Sequence, residues 1–371
     1  RFVHMAQGYG EEILLAAIFA AALLLRVRRL RRKGLFLWDE AAFFREVLTV
    51  FNTFKFVISN RARLWRHRKN PDEQEREAIT TDYRNAVPTQ YVYYKPWHIF
   101  ALRLASGLVK QRDMALAVPS VITGSLTIVA VFALGRLAVS PAAGLAAAAI
   151  LAVSGLHVLH SRSAEPEPAV GLFFILLLGL SVMHKVQLLA HGPGYVFETE
   201  SLVLLVFVGI CLAGTLLLNP GWLAVTPGAY ILGEMVFTLA AGPGALVFAV
   251  SVGVALSAAL VMILITDIPF AFCKWLVPDL KWDTHTMKLC RFFKVLIEAF
   301  VKRLRSEGEV GVALPRFYHL KLYPGLLKET EGVAALVSAG TGVFFLLLDF
   351  TPFGLMMAAQ LLFILCMLIV A

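Results

Sequence analysis

Long apolar runs joined by short polar links dominate the chain, and two polar stretches interrupt them. The runs fall at 12–25, 114–135, 142–160, 168–186, 201–218, 222–240, 245–265, 333–348 and 353–371. Most approach the roughly 20 residues an α-helix needs to cross about 30 Å of hydrocarbon. The pattern predicts an all-α polytopic membrane protein with about nine transmembrane helices in a single transmembrane domain, 1–371. The runs are continuous rather than alternating, which argues against a membrane β-barrel. The first run is short and is flanked by arginines, whose stems can snorkel to the interface. Glycines within the runs, among them Gly179, Gly209, Gly214, Gly233 and Gly253, suit helices that pack closely in a membrane.

The polar excursions cover 26–113 and 267–332. Six apolar runs, an even number, lie between them, so both are expected on one side of the membrane. The link 161–167 falls on that side too, which would let Asp39, Glu40, Lys95, Arg162, Glu165, Glu167 and the 267–332 stretch converge. Each excursion holds an amphipathic helix pattern. In 40–58, Phe43, Phe44, Val47, Leu48, Phe51 and Phe54 recur at helical spacing. In 286–305, Leu289, Phe292, Phe293, Leu296, Phe300 and Leu304 do the same, with Lys288, Arg291, Lys302 and Arg305 interleaved. Such helices are expected in the interface plane; the alternative is a helix packed on the bundle with one solvated face.

Composition agrees with the pattern. The chain is 59% hydrophobic with mean hydropathy +0.75 and a net charge of +9, unlike an average soluble domain. The Lys and Arg gather on the shared side, as in Arg26, Arg28, Arg29, Arg31, Arg32 and Lys33, leaving little beyond Arg136 and Lys185 opposite. The positive-inside rule would make that side cytoplasmic, but it weakens for loops beyond about 60 residues. The four cysteines form no framework: Cys211 and Cys366 lie in apolar runs, and Cys273 and Cys290 lack metal-like spacing. The chain begins at Arg1 with no cleavable signal peptide, so its natural start is expected to be missing or processed.

The chemistry-bearing residues stand at the ends of apolar runs. Ionisable groups at a membrane face are costly to keep there, so the pair Asp39 and Glu40 and the segment Ser161–Pro168 are functional candidates. Each has a plainer reading. Asp39 can be the N-cap of the helix that follows. Lys95 before Pro96 can simply snorkel. Arg162 with Glu165 or Glu167 can be an interfacial ion pair. His157 and His160, three apart, could bind a metal, but no third ligand presents itself, so no metal site is expected.

Several of these segments carry a family resemblance. Arg26 to Glu46, with Leu35-Phe36-Leu37-Trp38-Asp39-Glu40-Ala41, resembles the first external loop of GT-C membrane glycosyltransferases. The nearest types are the protein O-mannosyltransferases and the aminoarabinose or undecaprenyl-phosphate-sugar transferases. Tyr93-Tyr94-Lys95-Pro96-Trp97 resembles their Tyr-Lys-Pro-Pro motif. Pro119 to Arg136, ending Leu-Gly-Arg, resembles their second span, and Gly144 to Arg162 the third, which ends Ser-Arg-x-Ala before an acidic residue. Phe317-Tyr318-His319-Leu320, with Leu326 and Gly332, is similar to a segment entering a late span. The resemblance covers roughly 12–185 well and 200–348 loosely; the order of the motifs, not any one of them, carries it.

The resemblance implies a GT-C-like fold with both excursions extracytoplasmic, against the charge rule, in a bacterial or archaeal cytoplasmic membrane. It implies transfer of a sugar from a polyprenyl-phosphate carrier to an acceptor, with inversion. Asp39 matches the catalytic carboxylate and would be the general base; Glu40 would orient it or bind the acceptor. Lys95 and Arg162 would neutralise the leaving lipid phosphate. Glu165 or Glu167 would bind the acceptor or a divalent cation, the one cofactor in view. His98 would line the substrate site. Partners would be the lipid-linked sugar, membrane lipids and further subunits of a membrane complex, with no nucleic acid. Three departures stand out. Trp97 replaces a Pro, Leu218-Asn219-Pro220-Gly221 lacks the Lys of the relatives' Thr-Lys-Gly-Pro, and the chain is short, which reads as truncation or reduction. The last two favour the rival reading, a catalytically reduced subunit acting as a scaffold. A transporter is disfavoured because charges gather in loops rather than mid-span.

Overall fold

Apolar runs this long fold as helices because a membrane leaves no other partner for their backbone groups. In the computed structural model the described residues are 2–28, 30, 38–87, 95–109, 112–218, 225–277 and 354–360. Side chains are described over 10–28, 30, 41–87, 95–109, 114–218, 226–277 and 354–360. Among them every regular element is a helix. The order is α1 (Phe2–Val27), α2 (Trp38–Ser59), α3 (Arg61–Lys69), α4 (Glu73–Ala86), α5 (Pro96–Leu108), α6 (Arg112–Ala138), α7 (Pro141–Val153), α8 (Gly155–Ser161), α9 (Glu167–His191), α10 (Thr199–Leu218), α11 (Val225–Ala241) and α12 (Ala245–Leu276).

Four segments are long and apolar enough to cross a membrane: Met114–Ala138, Glu167–His191, Thr199–Leu218 and Ala245–Leu276. The α7–α8 pair, bent by 64° at its break, makes a fifth if counted as one span. The chain is therefore an integral α-helical membrane protein. The expected nine spans become four or five among the described residues. Helix α11 has only 17 residues, residues 354–360 are helical, and 333–353 and 361–371 lie outside the described set, as does the amphipathic pattern of 286–305.

Three boundaries move for local reasons. The 142–160 run is broken: the Ser154 backbone leaves the helical region (φ −55°, ψ 119°), and its hydroxyl accepts from the His157 N–H at 3.2 Å to start α8. A cap thus replaces the continued ladder. Helix α9 outlasts its predicted run and stops at Gly192, whose φ of 84° suits a residue without a Cβ. Helix α12 continues to Leu276, so 267–276, expected in the second excursion, belongs to a membrane helix.

Small residues set how closely the helices approach. A Cβ on Gly135 of α6 would lie 2.7 Å from the Gly144 Cα of α7, and one on Gly209 of α10 would lie 2.4 Å from the Ala255 carbonyl oxygen of α12. These contacts follow the small-residue packing expected of membrane helices. The first excursion folds onto the end of the bundle. Phe43, Val47 and Val50 of α2, Ile79 and Tyr83 of α4 and Ile99 and Leu102 of α5 form one buried cluster with Ala164 and with Phe270, Cys273 and Leu276 of α12. The spacing 43, 47, 50 is one helix face, so the amphipathic face of α2 is buried on protein. Each such side chain contributes about 1.5–3 kcal/mol through burial.

Candidate functional site

The cluster brings three sequence segments to one place. Lys95 precedes the first residue of α5, where Pro96 supplies a preset φ and needs no hydrogen-bond acceptor. Trp97, the departure from the Tyr-Lys-Pro-Pro pattern, donates its indole N–H to Thr266 Oγ1 of α12 at 3.2 Å. It also packs on Phe173 of α9, with ring centroids 5.6 Å apart. The indole thus joins α5 to two membrane helices, which a proline could not do.

His98, expected to line the substrate site, is 2% exposed. Its Nε2–H donates to the Ala164 carbonyl at 2.7 Å, and its ring meets Phe43 edge-on at 5.0 Å. It holds α2, α5 and the turn before α9 together. Burial pushes its pKa down to about 4, and the nearby Lys95 charge lowers it further; the bond to Ala164 and the Glu165 charge oppose this. The imidazole is neutral at pH 7.

Lys95 lies with Nζ 4.9 Å from the Phe43 ring centroid and acts electrostatically on Glu167. Glu165 pairs with Nδ1 of His160 on α8, and its backbone carbonyl accepts from Ser120 Oγ of α6 at 2.7 Å. Helix α6 approaches this turn closely, since a Cβ on Gly124 would lie 2.1 Å from Ser161 Oγ. Arg162 donates from a terminal nitrogen to the Arg28 carbonyl at 3.0 Å, tying the turn to the end of α1. Lys95, His98, His160, Arg162, Glu165 and Glu167 therefore gather at one end of the bundle. Helix α2 starts at Trp38, so Asp39 and Glu40 belong to its first turn rather than preceding it. Acidic residues there favour the positive end of the helix dipole. Their side chains lie outside the described set. Among the described residues no group of three His, Cys, Asp or Glu side chains is gathered as a metal site.

A cavity of about 420 Å³ runs from this end between α6, α7, α8 and α9. Its walls include Val131, Leu151, Leu156, Phe174 and Ile175, and its polar lining is Thr127, Ser154, His157, His160 and Glu167. Behind His157 stands Arg26, which was expected to snorkel but is 0% exposed. Arg26 donates to the carbonyls of Ala22 at 2.9 Å and Ala152 at 3.3 Å, and to Nδ1 of His157 at 2.6 Å. A guanidinium has no acceptor, so Nδ1 must accept and the His157 proton sits on Nε2.

Hydropathy also missed a polar core deeper in the bundle. Lys185, read as belonging to a loop on the opposite side, lies in α9 and pairs with Glu234 of α11, each 1% exposed. Ser181 donates to Glu234 at 3.2 Å, and His184 meets Ser201 of α10 at 2.8 Å. Glu46 and Asp267 are buried too, at 1% and 4%. A charged residue within an apolar run was the available signal.

No protein-family model matches the chain, and no curated protein matches it. Among solved structures, it is similar to the oligosaccharyltransferase AglB from Archaeoglobus fulgidus, solved with an inhibitory peptide and a dolichol-phosphate. The TM-score is 0.53 at 14% identity, covering 95% of this chain and 47% of that one. The apo form of the Archaeoglobus fulgidus oligosaccharyltransferase gives 0.44 at 14% identity, covering 95% and 49%. The chain thus spans about half the length of the AglB structure it matches. The likeness to AglB shows that the chain shares the helical membrane fold of that structure.

Proposed function

We propose that the protein is a glycosyltransferase that moves a sugar from a polyprenyl-phosphate carrier to an acceptor at the extracytoplasmic membrane face. The observation that carries this reading is the gathering of Lys95, Arg162, Glu165 and Glu167 at the end of the bundle where α2 begins. The membrane fold shared with AglB and the order of the sequence motifs support it.

In this reading the Asp39 carboxylate takes the proton of the acceptor hydroxyl as its oxygen bonds to the anomeric carbon. The bond from that carbon to the phosphate oxygen breaks, the electron pair leaves with the lipid phosphate, and the centre inverts. Glu40 orients Asp39 or the acceptor. Lys95 and Arg162 offset the charge that develops on the phosphate. Glu165 or Glu167 binds the acceptor or a divalent cation. His98 is a positioning residue, because its bond to Ala164 sets the 161–167 turn against α5.

Sugar release from a polyprenyl-phosphate donor by the solubilised protein tests the reading. Asp39→Asn keeps shape but removes the base, so turnover should fall on the order of 10²–10⁴-fold, while loss of dipole stabilisation changes stability by about 1 kcal/mol or less. Wild-type rates in Asp39→Asn would remove the assigned role. A wild-type protein that neither binds nor turns over such a donor would leave the scaffold reading.

A further inference from the structure

We propose that α3 and the end of α12 together form a docking surface for the headgroups of anionic phospholipids. This surface is independent of the glycosyltransferase reading.

Helix α12 fixes the position. Its 32 residues make it about 48 Å long, whereas the hydrocarbon is about 30 Å thick, so the helix reaches into the headgroup layer. Leu260, Leu264, Ile268, Phe272 and Trp275 recur along it at three- and four-residue spacing and are each 42–63% exposed. That spacing is one helix face, an apolar stripe turned to lipid. Its last two members are aromatic, with ring centroids 6.3 Å apart. A tryptophan closing such a stripe belongs at the headgroup level, where its ring meets apolar and polar surroundings at once.

Helix α3 brings positive charge to the same level. Trp65 is 46% exposed and meets the Trp275 ring edge-on at 5.2 Å. The Arg68 guanidinium lies 5.4 Å from the Trp275 centroid, and Lys69 Nζ lies 5.8 Å from that of Trp65. Positions 61, 65, 68 and 69 share one face of α3, so Arg61, Arg68 and Lys69 stand with Trp65 on the side that meets the lipid-facing aromatics. Two other positions are committed to protein. Leu64 is fully buried, in the cluster that holds Leu276, Phe43 and Ala164. Arg63, about half a turn from Trp65, pairs with Glu75 and Asp82 of α4 at 2.5 Å each. The α4 carboxylates are thus engaged on the far side. Among the described residues Arg61, Arg68 and Lys69 make no ion pair.

Cations beside interfacial aromatics suit an anionic lipid surface. A guanidinium also matches phosphate oxygens with paired hydrogen bonds. A zwitterionic headgroup carries its own cation, which offsets this attraction, so the surface selects by headgroup charge. Because Leu64 shares its cluster with Phe43 and Ala164, the neighbours of His98, docking here also sets how deep the candidate site sits against the bilayer.

Tryptophan quenching tests the surface. The full chain is placed in phosphatidylcholine nanodiscs containing a lipid brominated high on its acyl chain, either phosphatidylglycerol or phosphatidylcholine. Wild type should reach half-maximal quenching with at least about fivefold less of the brominated phosphatidylglycerol, the effect of one basic residue near an anionic surface. Raising the salt should shrink the difference. The triple variant Arg61→Gln, Arg68→Gln, Lys69→Gln should lose it, whereas Arg76→Gln with Arg84→Gln, exposed cations of α4, should keep it. Trp65→Phe with Trp275→Phe should remove most of the selective quenching, which locates it here. Equal quenching by the two lipids in wild type would overturn the proposal whether or not the variants fold. So would a preference that survives in the folded triple variant, or one that added inorganic phosphate abolishes at matched ionic strength, since the ligand would then be a soluble anion.

Discussion

Replacing Glu234 by Gln should destabilise the protein by several kcal/mol, although this residue lies in none of the sequence motifs. Glu234 and Lys185 are each 1% exposed and pair across α9 and α11. Ser181 donates to Glu234, and Lys185 also meets His184 Nδ1 at 3.3 Å and the Phe237 ring at 5.3 Å. Removing one charge leaves the other without compensation in a medium of low polarity. Glu234→Gln and Lys185→Met should each lose about 3–5 kcal/mol, the usual range for breaking a buried pair. The double variant Lys185→Met with Glu234→Gln should recover most of this, because it leaves no buried charge. Equilibrium unfolding in mixed micelles, followed by tryptophan fluorescence, gives the four stabilities of the cycle. Additive losses, or a Glu234→Gln protein within about 1 kcal/mol of wild type, would refute the pairing as a determinant of stability.

Other outcomes follow from the site end of the bundle. His98 has its pKa lowered to about 4 by burial, so the unfolded chain binds its proton more readily than the folded one. Its contribution to stability is therefore full above about pH 6.5 and lost as pH falls towards 4, about 3 kcal/mol in all. His98→Gln should flatten that slope in unfolding measured between pH 7 and 4.5, and an unchanged slope would show that His98 is not its source. Trp97→Phe keeps the ring packing but loses the bond to Thr266. It should cost about 1 kcal/mol on the same assay, and no loss would mean that the indole N–H is equally well hydrated elsewhere. Cysteines at Asn70 and Glu307 should both react with an impermeant maleimide on intact cells. Labelling of only one would break the shared-side argument, and protection of both would reverse the proposed orientation.

The sequence by itself settled what depends on composition along one dimension. Apolar runs long enough to span a bilayer must fold as helices, whatever they pack against, because the hydrocarbon offers no other hydrogen-bond partner. The spans at 114–135, 168–186, 201–218 and 245–265 were legible for that reason, although α12 runs on to Leu276 and α9 to the stop at Gly192. The motif residues Lys95, Arg162, Glu165 and Glu167 were legible as candidates because charges at a membrane face are rare. What each one touches was not. Arg26 finds His157 across 131 residues, and Lys185 finds Glu234 across 49. Hydropathy scores such residues as interruptions, either snorkelling or lying in a loop. Only the packed bundle shows a cation turned inward because a partner from another helix is there to receive it. The same holds for His98, whose bond to the Ala164 carbonyl is visible only in the packed bundle. The energy of a buried polar group is decided by its partner, and the partner is a property of the tertiary fold.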